Sequence, residues 1–103
     1  MKLKQLIGPF KEHNQSINIP NVNYIQIGIE HPHSIPISEI NLDNWPIIIG
    51  INTLNNSINK QQNFIMHEKD ILEFRYNKAS INIWVEPISN PYLIINIAYE
   101  DTN

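Results

Sequence analysis

Isoleucine returns at every second position along much of this chain, with asparagine or another polar residue between. Successive side chains of a strand point to opposite faces, so a period of two suits a sheet with one buried face and does not suit a helix. In residues 24–29 it sets Ile25, Ile27 and Ile29 on one face. In residues 81–86 it sets Ile81, Ile83 and Val85 against Asn82, Trp84 and Glu86. In residues 71–76 it sets Leu72, Phe74 and Tyr76 against Ile71, Glu73 and Arg75. Isoleucine and asparagine together make up more than a third of the chain, a usage that fits an AT-rich genome. Composition pushes the same way as pattern, since β-branched isoleucine favours strands and asparagine favours turns over helix interiors.

Further strands are predicted at residues 16–19, where Pro20 stops the run, and at 47–51, 64–67 and 93–99. The run 47–51 is apolar throughout, as in a strand buried on both faces. Asn77-Lys78-Ala79 has the length of a hairpin turn, and residues 87–91 that of a longer one. Strands at such spacing predict an all-β chain, an antiparallel β-sandwich or barrel of jelly-roll or immunoglobulin-like kind, with about seven or eight short strands. Residues 30–43, with Pro32 and Pro36, and the polar tract 52–63 are predicted as loops. Asp43 or Asn44 can cap a single turn ahead of Trp45-Pro46, and no window has a sustained helical period. The 103 residues carry no break in composition, so 1–103 reads as one domain.

Charge and cysteine content exclude several functions. The formal net charge is -3, and the seven basic residues are scattered, with Arg75 the only arginine. A surface that tracks phosphates needs clustered Lys and Arg, so no nucleic-acid partner is expected. No apolar run approaches the roughly 20 residues that span a bilayer, so no membrane partner is expected either. The segment Met1-Lys2-Leu3-Lys4 begins like a signal peptide but meets Gly8-Pro9 too early for an apolar core, which points to a protein kept in the cytoplasm of its producer. Without cysteine there is neither a disulfide framework nor a thiolate metal site.

Reactive constellations are equally sparse. His31 and His33, two apart beside Glu30, can point to one side of an extended segment, but Pro32 intervenes and no third ligand is evident. No metal and no cofactor are therefore expected. Glu73 and Glu86 fall where solvent-facing strand residues belong, and Glu73 shares its face with Arg75, which suits cross-strand pairing. The serines lack a nucleophile-elbow setting, and Gly8, Gly28 and Gly50 are too dispersed to cradle a phosphate. The chain is expected not to be an enzyme.

Interaction is the better-supported expectation. With Ile81, Ile83 and Val85 inward, Trp84 faces outward between Asn82 and Glu86, as an interface or a stacking platform would. Trp45 and Tyr92 belong to the same class. Residues 92–99 carry no charge and are apolar on both faces. Such a strand needs to be central or covered, which points to a homo-oligomer or larger assembly.

The second half of the chain also carries a resemblance. The apolar strand from residue 47, a polar loop, Ile71-Leu72-Glu73-Phe74, an Asn-containing turn, Ser80-Ile81-Asn82-Ile83 and the closing Ile94-Ile95-Asn96-Ile97-Ala98-Tyr99-Glu100 resemble small β-sandwich accessory proteins of tailed-bacteriophage virions from low-GC hosts. The likeness covers residues 47–100 and lies in spacing and residue class. It implies a virion protein, made in the host cytoplasm, that binds capsid, neck or tail subunits and copies of itself. Two other readings stand beside it. One is a carbohydrate-binding module that stacks sugars on Trp84, Trp45 or Tyr92. The other is a small host-interaction protein that inhibits a bacterial defence system.

Overall fold

The computed structural model describes residues 1–8, 10, 16–30, 47–67, 69–86 and 93–102. They form six strands and no helix: β1 (Lys2–Ile7), β2 (Ser16–Glu30), β3 (Ile47–Asn55), β4 (Ile58–Met66), β5 (Leu72–Val85) and β6 (Ile94–Asp101). All neighbours are antiparallel, in a single sheet of order β1-β6-β2-β5-β3-β4 that does not close on itself. No helix among the described residues is long and apolar enough to cross a membrane.

The all-β expectation holds, but among the described residues the strands are fewer and longer than the sequence suggests. β2 runs 15 residues and β5 runs 14. Pro20 does not stop the first run. It lies where the β2–β5 register shifts between Ile19 and Val22, and a bulge tolerates a residue without an N–H. Asn77-Lys78-Ala79 is likewise not a hairpin turn. The segments on both sides pair with the same strand, β2, so β5 continues through them with Lys78 at φ 52°. Asn23 holds this irregularity, its Oδ1 accepting the Lys78 N–H at 3.0 Å while its Nδ2 donates to Thr102 Oγ1.

The polar tract 52–63 is not a loop either. It holds most of a regular hairpin, β3 paired to β4 from Ile47↔Met66 to Asn55↔Ile58. Asn56 and Ser57 form its two-residue turn with φ of 51° and 67°, the double left-handed geometry whose twist matches flanking strands. β3 is not buried on both faces: Ile47, Ile49 and Ile51 are buried while Ile48 is exposed. β6 is buried on one face only, Ile95, Ile97 and Tyr99 against half-buried Ile94 and Ala98. It lies inside the sheet, between β1 and β2. Residues 31–46 and 87–92, with the expected loop, the longer turn, His31, His33, Trp45 and Tyr92, lie outside the described residues.

Because β2 and β5 are long, the sheet has two halves. In the β1 half, the C-terminal part of β2 lies between β6 and residues 72–75 of β5. In the β4 half, residues 80–85 of β5 lie between residues 16–19 of β2 and β3, with β4 outside. The sheet bends sharply where one half passes into the other. Phe64 of β4 stands in the row of Ile49 and Val85, yet its ring centroid lies 4.8 Å from that of Phe74. On a straight strand residues 74 and 85 would be roughly 35 Å apart. The bulges of β2 and β5 lie between the two halves, and the buried side chains of both halves belong to one apolar cluster. Tyr76 continues the seam, its ring 6.2 Å from Phe74. Burial pushes its phenol up, offset in part by a hydrogen bond with Thr53 of β3.

The shared core holds Ile19, Ile25, Ile27, Ile49, Ile51, Ile81, Ile83, Ile95 and Ile97, all essentially inaccessible. Each buried isoleucine stabilises the fold by about 1.5–3 kcal/mol before conformational entropy is set against it. Phe10, following β1, and Leu93, before β6, are buried with them, and the Gly8 N–H donates to the Leu93 carbonyl at 2.9 Å.

Candidate functional site

The alternation that buries Ile81, Ile83 and Val85 turns Asn82, Trp84 and Glu86 to the outer face of the β4 half. Strand pairing then extends each into a row. Trp84 stands between Ser16 of β2 and Gly50 of β3, with Asn63 beyond. Asn82 stands between Asn18 and Asn52, with Gln61 beyond. Four carboxamides from four strands therefore lie side by side on one face.

Trp84 is fixed by its neighbours. Its indole lies directly over Gly50, in the space that a Cβ would occupy, and Nε1 donates to Glu86 Oε1 at 3.2 Å. Glu86 also extends the β5–β3 ladder, its N–H donating to the Ile48 carbonyl at 2.9 Å. Beside the ring, Ser16, Asn18, Asn52, Leu54, Ser80 and Asn82 line an open groove of about 440 Å³. A second concavity, lined by Ser16, Gln61, Asn82, Trp84 and Glu86, adjoins it through their shared residues. Asn82 Oδ1 is buried and has no hydrogen-bond partner among the described residues.

The outer face of the β1 half is different in kind, because its polar groups satisfy one another. Gln5 Nε2 donates to Asn96 Oδ1 at 2.7 Å, and Asn96 Nδ2 to Glu30 Oε2 at 2.9 Å. The Tyr24 hydroxyl donates to Glu73 Oε1 at 3.0 Å, and the Arg75 guanidinium lies 5.2 Å from the Tyr24 ring centroid. Glu73 and Arg75 thus share the outer face and engage one tyrosine of β2. Reduced hydration and then Glu73 raise the Tyr24 phenol above its ordinary value.

Of the residues singled out in the sequence, Asn82, Trp84 and Glu86 come together here, whereas Trp45 and Tyr92 lie outside the described residues. Asn18, Asn52, Gln61 and Gly50 were not singled out. Asn52 and Gln61 fall in the tract read as a loop, and nothing local shows that Asn18 stands in their row. The row has the chemistry of a neutral binding surface, with amide and hydroxyl donors and acceptors around one indole. Among the described residues no three His, Asp or Glu side chains converge as metal ligands would. Compared with protein-family models, curated proteins and solved structures, the chain finds no match in any of the three.

Proposed function

We propose that this protein is a non-enzymatic accessory part of a virion, which joins capsid, neck or tail subunits and copies of itself through its sheet edges. The observation that carries this reading is the character of the two outermost strands. Among the described residues β1 and β4 each pair on one side only, and both edge strands expose large apolar side chains. Ile58 and Ile65 of β4 are 70% and 64% exposed, and Leu3 and Ile7 of β1 are 62% and 56% exposed. An edge that shows unpaired backbone and apolar side chains is a template for another strand.

β1 is partly guarded. Lys2 and Lys4 stand opposite core residues Tyr99 and Ile97, so they point to the buried side of the edge, and Lys2 pairs with Asp101 at 3.0 Å. β4 has one charge, Lys60, and its last turn of strand is apolar. That makes β4 the edge on which assembly is expected. The bend at the bulges supports reading the fold as a sandwich, with the two halves of one sheet as its layers.

Light scattering after size exclusion, across a concentration range, tests the reading. A defined oligomer or concentration-dependent growth is expected, and Ile65→Lys should shift it to monomer without loss of far-ultraviolet β signal. A monomer at all concentrations, together with absence of the protein from purified particles of its source, would sink it.

A further inference from the structure

We propose that the outer face of the β4 half binds a neutral oligosaccharide, laid across the strands along Asn18, Asn82, Asn52 and Gln61 with one sugar ring against Trp84. The site lies on a sheet face and meets the edge strand β4 only at Gln61, whose backbone it does not use, so it stands or falls apart from the assembly reading.

The ligand class follows from the lining. A carboxamide offers both donor and acceptor on an uncharged side chain, and serine hydroxyls do the same. Neighbouring hydroxyls of a sugar need that combination. Among the described residues no lysine or arginine lines either concavity, so the described lining offers no cation to hold phosphate, sulfate or a uronate. An added peptide strand has no place on this face, because it would need free backbone groups. Those of β5 are paired on both sides with β2 and β3.

Two features point to occupancy. The Trp84 indole is held in one position by Gly50 beneath it and by Glu86 at its Nε1, and it lines a concavity. A fixed ring gives the apolar side of a sugar a surface on which to lie, with little ordering left to do on binding. Asn82 Oδ1, at the centre of the row, is buried without a partner, a state rare in folded proteins. A ligand that draws the carboxamide outward relieves it. Four strands make three steps of about 4.8 Å, so the row spans about 14 Å, the reach of a short oligosaccharide and more than one sugar ring.

The test uses the full chain carrying Trp45→Phe, which leaves Trp84 the sole tryptophan. Maltoheptaose, cellohexaose, mannohexaose and chitohexaose are titrated while Trp84 emission is followed, with heparin as the anionic probe. A saturable change with at least one neutral oligosaccharide and none with heparin is expected. Calorimetry on the otherwise unaltered chain should then show Asn82→Ala and Trp84→Ala each weakening that sugar at least about tenfold. If Trp84→Ala fails to fold, Asn82→Ala and Asn18→Ala, the latter at an exposed position, carry the test by the same loss. The proposal is overturned if no neutral oligosaccharide binds, if heparin binds more tightly, or if binding survives all the folded variants.

Discussion

At Gly50 the absence of a side chain decides where the Trp84 indole can lie. Gly50 has no unusual backbone angle to explain its glycine; the reason is the ring on top of it. Gly50→Ala puts a methyl inside the space of Trp84 Cε2 and Cζ2, and overpacking of this kind costs about 1–3 kcal/mol. Urea denaturation should show that loss, together with a red shift of Trp84 emission as the ring is pushed out. In a Trp84→Ala background the same substitution should be nearly neutral, because the atoms it meets are gone. Tyr24 makes a second residue-scale case. Its folded phenol is raised above 10.0, so the associated stability is complete below that value and is lost as pH rises through the folded one. Titration followed by phenolate absorbance should place Tyr24 above an ordinary tyrosine. Glu73→Gln should bring it part of the way back, since reduced hydration, the larger cause, remains.

The hairpin β3–β4 shows how element and sequence can disagree. Asn56-Ser57 has two left-handed residues, a turn that asparagine followed by glycine fits best. Ser57→Gly is therefore expected to stabilise the protein by about 0.5–1 kcal/mol, read as a higher urea midpoint at unchanged slope. Asn55-Asn56-Ser57 in the sequence is a fair turn signal, but the tract after it hid a strand. From Ile58 to Asn63 the side chains are nearly all polar because β4 is an edge whose both faces there are exposed, and such a strand has no apolar alternation to show. β1 was illegible for a similar reason: only Leu6 of its six residues is buried. The interior strands were legible where one face is buried, at 24–29, 81–85 and 93–99. Their continuity was not, since Pro20 and Asn77-Lys78-Ala79 read as breaks and are bulges. The amide row was hidden for a further reason. Its members come from residues 18, 52, 61 and 82, and only tertiary pairing aligns them.

At the scale of the whole molecule, neither half of the sheet owns its strands. Each takes a part of β2 and a part of β5, and the Phe64–Phe74–Tyr76 seam ties the outermost strand of one half to the other. Equilibrium unfolding should thus be a single transition, with Trp84 emission from the β4 half and tyrosine absorbance from the β1 half changing together. Two separated transitions would show that the bulges are hinges between independently stable halves of the sheet.

The order of the strands has a further consequence, in time. Of the five strand pairings only β3–β4 joins neighbours in sequence; β1–β6, β2–β5, β2–β6 and β3–β5 all bring together distant parts of the chain. Loops that large must close before their contacts repay them, so folding is expected to be slow for a chain of this length, with the one local hairpin able to form early. β1 can dock only once β6 is in place. During synthesis β1 is made well before β6, so Leu6, its one buried side chain, stays uncovered until β6 has been made and has taken its place beside β2.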